Sequence, residues 1–144
     1  NYKMKICIVI SDYYKNITKE LLIGAEGVLK SYGIKKYSKI YTTGIFETPV
    51  VISRNIKKYD GFVALGCVIK GETPHFDFIC SAAINAIMQI SIVNKKPIGN
   101  GILTCHNMKQ ALKRANPKGK NKGGEASMAT ISVLKIKKWS KIKL

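Results

Sequence analysis

The chain has 144 residues, of which 46% are hydrophobic and 23% are charged. This length and composition are typical of one globular domain and exclude the disordered and fibrous classes. The longest apolar stretches, residues 61–69 and 78–88, are shorter than the roughly 20 residues that a membrane-spanning helix needs, so no span is expected. The formal net charge of +17, from 25 Lys and Arg against 8 Asp and Glu, would attract phosphates, nucleic acid or anionic membranes.

Most of this charge comes from lysines that are spread along the chain. Specific nucleic-acid readers usually concentrate arginine on one element, so a solvated lysine-rich surface is the preferred interpretation. The four cysteines, Cys7, Cys67, Cys80 and Cys105, form no C-x-x-C pair and are interpreted as reduced structural thiols. The first residues lack the pattern of a secretory signal peptide. We therefore expect one cytoplasmic domain over residues 1–144.

Strand and helix patterns alternate along the chain. Four short apolar or β-branched runs predict strands, and these cover residues 5–10, 39–43, 61–69 and 97–103. Five segments are predicted as helices, and these cover residues 21–32, 50–57, 74–93, 107–115 and 122–139. Residues 44–48 and 116–121 are predicted as a loop and a turn.

Several residues predict where the helices begin and end. Gly33 follows the first helix, where glycine is favoured. Thr73 suits the N-cap of the third helix and Pro74 its first turn. Asn107, with Gln110 three residues later, has the pattern of a capping box. In the last helix one apolar stripe is expected to face the core, and it consists of Ala126, Ala129, Val133 and Ile136.

Alternating strands and helices predict parallel strands joined by right-handed crossovers, with helices on both faces of the sheet. In such sheets, ligands bind beyond the carboxyl ends of the strands. Aromatic residues Tyr13 and Tyr14 follow the first strand, and a ring there suits a flat heterocycle. The second strand is followed by Gly44 and the carboxylate of Glu47. The segments that follow the strands are expected to lie together at one edge of the sheet.

The third strand is followed by residues 70–75, which combine Gly71, a helix N-terminus and the imidazole of His75. Free amides at a helix N-terminus bind anions, and an imidazole exchanges protons near neutral pH. Arg114 lies in a basic segment, and a guanidinium binds phosphate with two parallel hydrogen bonds. The pairs Cys105 with His106 and His75 with Cys80 lack the paired spacing of a zinc site, so no metal is expected.

Three segments together resemble the signature segments of the lumazine synthase family: residues 44–49 (GIFETP), 65–77 (LGCVIKGETPHFD) and 121–126 (NKGGEA). Their order and spacing match from about Lys5 to Leu134. By this resemblance the fold is an α/β class three-layer α/β/α sandwich around a four-stranded parallel sheet, in a flavodoxin-like arrangement. The implied activity is condensation of 5-amino-6-(D-ribitylamino)uracil with 3,4-dihydroxy-2-butanone 4-phosphate to 6,7-dimethyl-8-ribityllumazine, with release of phosphate and water. No cofactor or metal is implied.

The resemblance also implies roles for individual residues. His75 matches the acid/base residue of the family. Residues matching the pyrimidine and ribityl pocket are Tyr13, Ile45, Phe46, Glu47, Cys67, Val68 and Ile69. Residues matching the phosphate subsite and its surroundings are Glu72, Thr73, Asn100, Arg114 and Lys122, of which the last three come from a neighbouring subunit in the family. The implied partners are copies of the chain itself, as a pentamer or a shell of twelve pentamers, with no membrane or nucleic acid.

Two alternatives remain open at this stage. One is a flavin-pathway relative with the same architecture, such as a riboflavin-binding protein or a riboflavin synthase of related fold, which a flavin titration would identify. The other is a basic nucleic-acid-binding module, which would bind nucleic acid with a steep salt dependence and form no lumazine.

Overall fold

The structure is a computed structural model that describes residues 3–71 and 75–136. Four strands alternate with five α-helices. In chain order they are β1 (Ile6–Ser11), α1 (Lys15–Ser31), β2 (Ser38–Thr42), α2 (Thr48–Asn55), β3 (Gly61–Ile69), α3 (His75–Asn94), β4 (Ile98–Cys105), α4 (Met108–Ala115) and α5 (Lys122–Lys135). The predicted order of elements is therefore confirmed.

The four strands form one all-parallel sheet in the order β2-β1-β3-β4. This is the order of the first four strands of a flavodoxin-like sheet. Helices α1, α4 and α5 cover one face, and α2 and α3 cover the other. The predicted three-layer α/β/α architecture is confirmed, with β4 at one edge and β2 at the other.

The sheet interior explains why β1 and β3 read as continuous apolar runs. Every residue of β1 is buried, and so are the first seven residues of β3. Apolar side chains alternate between two core clusters, one under α1, α4 and α5 and one under α2 and α3. Strands buried on both faces have no polar face to expose, which is why the period-2 pattern is missing.

Several predicted boundaries differ from the structure. Residues 44–48 are not a loop, because Ile45–Glu47 form one 3₁₀ turn and Thr48 already belongs to α2. Pro49 lies in the first turn of α2, where its missing N–H costs no hydrogen bond. The last helix ends earlier than predicted, because Ile136 has extended backbone. The predicted N-cap Thr73, the first-turn residue Pro74 and the end of the predicted last helix, residues 137–139, lie outside the described residues.

The expected apolar stripe of α5 is wrong for three of its four members. Ala126 is buried, but Ala129, Val133 and Ile136 are exposed. The buried face is instead lined by Ile131 and by small or hydroxyl residues, Gly123, Gly124, Ala126, Ser127 and Thr130. Both hydroxyls donate to backbone carbonyls, which lowers the free-energy cost of burying them.

Helix α3 also departs from the sequence expectation. It spans 20 residues and is long and apolar enough, by length and composition alone, to cross a membrane. The sequence did not predict a possible membrane span, because polar residues such as Asn85 and Gln89 divide the apolar stretch of this helix. Only a small part of the helix is buried, and Phe78, Met88 and Ile92 are exposed on it.

Candidate active site

A cleft of about 470 Å³ opens at the carboxyl ends of β1 and β3, between the 3₁₀ turn and the start of α3. We call it the first cleft. It is lined by Ser11, Tyr13, Tyr14, Gly44, Ile45, Phe46, Glu47, Cys67, Val68, Ile69, His75 and Ile79. The structure therefore brings together the eight residues to which the resemblance gives a catalytic or pyrimidine-pocket role, from three successive strand ends and the first turn of α3.

The aromatic wall of the first cleft is held by a polar anchor at the end of β1. Thr18 Oγ1 donates to Asp12 Oδ1 at 2.8 Å, and Lys15 Nζ donates to Asp12 Oδ2 at 2.7 Å. These hydrogen bonds lower the pKa of the Asp12 carboxyl below its ordinary value. Tyr13 packs edge-on against Tyr14 with ring centroids 4.9 Å apart, yet it remains 72% exposed. A flat ligand can reach that ring without displacing another side chain.

The opposite wall is the 3₁₀ turn, and two glycines allow its position. The side chain of Ile45 fills the space that a β-carbon on Gly66 would need, so Ile45 packs directly against β3. Gly44 likewise leaves room for the carboxylate of Glu47, which accepts a hydrogen bond from Thr43 Oγ1 at 3.3 Å. Phe46, between Ile45 and Glu47 in the chain, lines the cleft and is 67% exposed. The turn thus offers a ring and a carboxylate to the cleft.

The floor of the first cleft is the end of β3. Cys67 is buried there, while Val68 and Ile69 are partly exposed. Burial, reinforced by the neighbouring Cys105 thiol, raises the pKa of the Cys67 thiol to about 12. A thiol with so high a pKa is a poor nucleophile at neutral pH. Cys67 therefore contributes shape and backbone groups to the cleft.

His75 is the first residue of α3, and its exposed side chain lines the first cleft. The side chain lies at the mouth, with solvent for proton exchange and with the helix N-terminus beside it. Two further predicted phosphate contacts, Glu72 and Thr73, lie outside the described residues.

Sequence reasoning missed Ser11, the last residue of β1. Its Oγ is buried and has no hydrogen-bond partner among the described residues, although the residue lines the first cleft. A buried hydroxyl without a partner costs about 1 to 3 kcal/mol. The signal available in the sequence was a small polar residue at the end of a β-branched strand. A bound ligand with a polar group would give the Ser11 hydroxyl a hydrogen-bond partner.

A second cleft, of about 430 Å³, lies along the free edge of β4 beside α4 and α5. It is lined by Asn100, Gly101, Ile102, Leu103, Thr104, Arg114, Lys122, Glu125 and Ala129. The three residues predicted to come from a neighbouring subunit, Asn100, Arg114 and Lys122, are thus together. They are separate from the residues of the first cleft.

Local packing orients the polar groups of the second cleft. Asn100 Oδ1 accepts from the backbone N–H of Ile102 at 3.0 Å, which leaves the Asn100 amide hydrogens directed elsewhere. Arg114 Nη1 donates to Cys105 Sγ at 3.8 Å. Lys122 pairs with Glu125 at 3.2 Å, at the first turn of α5. The cleft therefore combines two cations with one carboxylate and one carboxamide.

Asn121 and Gly123 set the start of α5 and so the position of Lys122. Asn121 has left-handed backbone (φ 46°), and its side chain accepts from the N–H of Gly124 at 3.2 Å. Gly123 lies so close to the carbonyl of Leu21 that a β-carbon would collide with it. Any side chain at residue 123 would push α5, and Lys122 with it, away from α1.

The two clefts share no lining residue. The first lies at the carboxyl ends of β1 and β3 next to α3, and the second lies along the free edge of β4 next to α4 and α5. They are neighbours in the sheet, because Cys67 and Val68 of the first cleft pair with Leu103 and Thr104 of the second in the β3–β4 ladder. Each cleft presents a different part of the predicted site.

The four cysteines are free and buried, as predicted. Burial also raises the pKa of the Cys7 thiol to about 11. Within residues 3–71 and 75–136, no group of three or more His, Cys, Asp or Glu side chains has the arrangement of a metal site.

Comparisons with known proteins agree with these features. Residues 3–138 match the family model of 6,7-dimethyl-8-ribityllumazine synthase. A protein of that name from Bartonella bacilliformis is 42% identical over 137 residues, which cover 92% of this chain and 90% of that protein. One from Corynebacterium kroppenstedtii is 39% identical over 130 residues, covering 89% of this chain and 81% of that protein. One from Methylorubrum extorquens is 39% identical over 142 residues, covering 93% and 81%.

Proposed function

We propose that this chain, which belongs to the 6,7-dimethyl-8-ribityllumazine synthase family, carries out its reaction in a site completed by a second copy of itself. The chain is a transferase of riboflavin biosynthesis. It condenses 5-amino-6-(D-ribitylamino)uracil with 3,4-dihydroxy-2-butanone 4-phosphate and releases phosphate and water. The two alternatives from the sequence, a flavin-binding relative and a nucleic-acid-binding module without enzymatic activity, are not favoured.

In this proposal the first cleft holds the pyrimidine. The exposed rings of Tyr13 and Phe46 offer stacking surfaces for a flat heterocycle. Glu47 supplies a carboxylate that accepts hydrogen bonds from the ribityl hydroxyls. Backbone groups of Cys67, Val68 and Ile69 form hydrogen bonds with the edge of the pyrimidine ring. The unpaired hydroxyl of Ser11 gains a hydrogen-bond partner.

The second cleft holds the phosphate of the four-carbon substrate. Arg114 and Lys122 lie in one cleft and supply two positive charges to an anion. Asn100 adds a neutral donor beside them, since its oxygen is already bonded to Ile102. Glu72 and Thr73 are proposed as further phosphate contacts by the family resemblance.

The chemistry consists of Schiff-base formation, phosphate loss, ring closure and dehydration. Most of these steps need two substrates held in the right orientation more than a strong catalytic group. His75, exposed at the cleft, transfers protons between the reacting groups. We propose that no cofactor or metal takes part, because the family resemblance implies none and the reaction moves no electrons to an external acceptor.

The single observation that carries the composite site is the division of the substrate-binding groups between two clefts with no shared residue. A pyrimidine in the first cleft needs a phosphate subsite, and the second cleft of a neighbouring copy offers one. Repeating this head-to-tail contact closes a ring where the rotation between copies returns to the first one. By the family resemblance we propose a pentamer, alone or as one of twelve in a shell.

The exposed apolar face of α3 supports this assembly. Phe78, Met88 and Ile92 are more than half exposed in the isolated chain, and a neighbouring copy would cover them. The polar residues Asn85 and Gln89 are also exposed on α3 and would be costly to place in lipid without partners. We therefore propose contact with another copy for α3 in place of a membrane.

We further propose that the protein works in the cytoplasm. Four free thiols support a reducing compartment, because such thiols tend to oxidise in secretory environments.

The proposed function is tested by mixing both substrates with the purified protein and following the lumazine chromophore. Turnover above the uncatalysed rate, unchanged after treatment with a metal chelator, is expected. A rate equal to the background would contradict the assignment of the activity, and a rate abolished by the chelator would contradict the absence of a metal.

A further inference from the structure

Lysines cluster at the end of the molecule opposite the first cleft. Each strand is preceded by two of them, and the eight are Lys3, Lys5, Lys35, Lys36, Lys57, Lys58, Lys95 and Lys96. Since the strands are parallel, their starts lie at one edge of the sheet. We call this edge the basic pole. The even spread of lysine in the sequence concealed it, because each pair belongs to a different connection.

Acidic residues are nearly missing from the basic pole. Among the described residues of the four segments that lead into the strands, the one acid is Asp60. Its carboxylate accepts from the backbone N–H of Lys5 at 2.8 Å. The ion pairs of the described chain involve Lys15, Lys39 and Lys122, and none involves a lysine of the basic pole. The positive charge there is not neutralised internally.

Four of these lysines line a groove of about 410 Å³, namely Lys3, Lys5, Lys35 and Lys36. All four are exposed. A neighbouring depression of about 250 Å³ shares Lys5 and Lys36 and reaches the partly buried residues Tyr37 and Tyr59. The basic pole therefore has an elongated concave surface with cations along it and aromatic residues at one end.

We propose that this groove binds the phosphate backbone of single-stranded nucleic acid. A cationic groove that follows the backbone, with aromatic residues for the bases, is the arrangement by which proteins bind single strands without sequence preference. Ammonium groups act as point charges on phosphates and confer little sequence selectivity. The net charge of +17 adds a long-range attraction.

The shape of the groove favours a linear polyanion over an anionic bilayer. Of the large apolar side chains that the described residues leave exposed, none lines the groove. A surface that binds a membrane peripherally usually inserts such side chains between the headgroups. The groove is concave and has ammonium groups along it, which suits a flexible chain of phosphates.

This second activity does not depend on the enzymatic one. No residue of the groove lines either substrate cleft. Loss of nucleic-acid binding and loss of lumazine formation are therefore separable by mutation.

The test measures binding of a labelled oligouridylate of about 20 nucleotides by fluorescence anisotropy over a series of salt concentrations. The groove variant carries Lys3→Gln, Lys5→Gln, Lys35→Gln and Lys36→Gln. A matched control carries four exposed lysines from elsewhere, as Lys19→Gln, Lys109→Gln, Lys118→Gln and Lys120→Gln. Both variants lose the same net charge, so only the position of the lysines differs.

The groove variant should lose tenfold or more in affinity at about 0.1 M salt, and its slope of log K against log salt should shrink by about 3, because each contact contributes about 0.7. The control should lose much less, and the groove variant should keep wild-type lumazine formation. Equal losses in the two variants would overturn the proposal, since binding would then reflect net charge alone. Unchanged oligouridylate binding by the groove variant, with loss of binding to phosphatidylserine vesicles, would also overturn it in favour of a membrane surface.

Discussion

Ile45 packs against Gly66, in the space that a side chain at residue 66 would occupy, and this contact sets the distance between the 3₁₀ turn and β3. Through it, the position of Phe46 and Glu47 at the mouth of the first cleft depends on a glycine in the middle of a buried strand. The site is therefore built by packing as much as by its polar residues.

Substitution of this glycine should disturb the cleft. Gly66→Ala should destabilise the protein by about 1 to 3 kcal/mol through overpacking and should raise KM for the pyrimidine, because Ile45 must move with the turn. Denaturant unfolding and steady-state kinetics measure the two effects. Gly27→Ala is the matched control: a β-carbon there meets nothing, and alanine in the interior of α1 should stabilise the helix by up to about 1 kcal/mol. Equal behaviour of the two variants would contradict the packing role of Gly66.

The acid/base role of His75 predicts a partial defect. General acid/base groups typically contribute about 10² to 10⁴-fold, while orientation by the clefts remains. His75→Ala should therefore slow turnover without abolishing it. His106→Ala is the control, because His106 is exposed and lines neither cleft. Unchanged kcat in His75→Ala would remove this residue from the mechanism.

The unpaired hydroxyl of Ser11 predicts opposite effects on stability and on binding. Ser11→Ala removes a buried group without a partner, so the free protein should unfold at the same or a higher temperature. If the pyrimidine satisfies the hydroxyl, the same variant should bind that substrate more weakly. A variant with lower thermal stability and unchanged KM would show that Ser11 has a structural role.

The lowered pKa of Asp12 predicts a pH dependence of stability. The folded pKa of Asp12 lies below the unfolded one, which is near 3.9 for an ordinary Asp. The contribution of the Asp12 carboxylate to the free energy of unfolding is therefore complete above that pH and disappears as pH falls through the folded pKa. Asp12→Asn should therefore melt below the wild type at pH 7, and the difference should shrink as pH falls below the ordinary Asp pKa of about 3.9. Glu20→Gln serves as a control without an ion pair among the described residues. A constant difference between Asp12→Asn and wild type at all pH values would contradict this origin.

Much of the fold could be predicted from the sequence, because β1 and β3 are buried on both faces and so have long β-branched runs. The helix stripe of α5 could not, because its packing depends on buried hydroxyls. Ser127 donates to the carbonyl of Ala25 at 2.9 Å and Thr130 to that of Phe62 at 2.7 Å. Apolar periodicity assigns such residues to solvent.

The candidate site could also be predicted only in part. Residues at strand exits, such as Tyr13 and Glu47, could be placed together because parallel strands end at one edge of the sheet. Ser11 could not be identified, since only the packing around it shows that its hydroxyl has no partner. The separation of Arg114 from His75 into two clefts likewise depends on which side of the sheet each helix covers, which periodicity does not determine.

Subunit mixing tests the composite site most directly. One variant disables the first cleft with Phe46→Ala and His75→Ala, and the other disables the second with Arg114→Ala and Lys122→Ala. Co-expressed in equal amounts in a head-to-tail ring, the two variants should regain about a quarter of wild-type lumazine formation, because that fraction of neighbouring pairs joins two intact clefts. Activity no higher than the average of the two separate variants would contradict a site shared between copies.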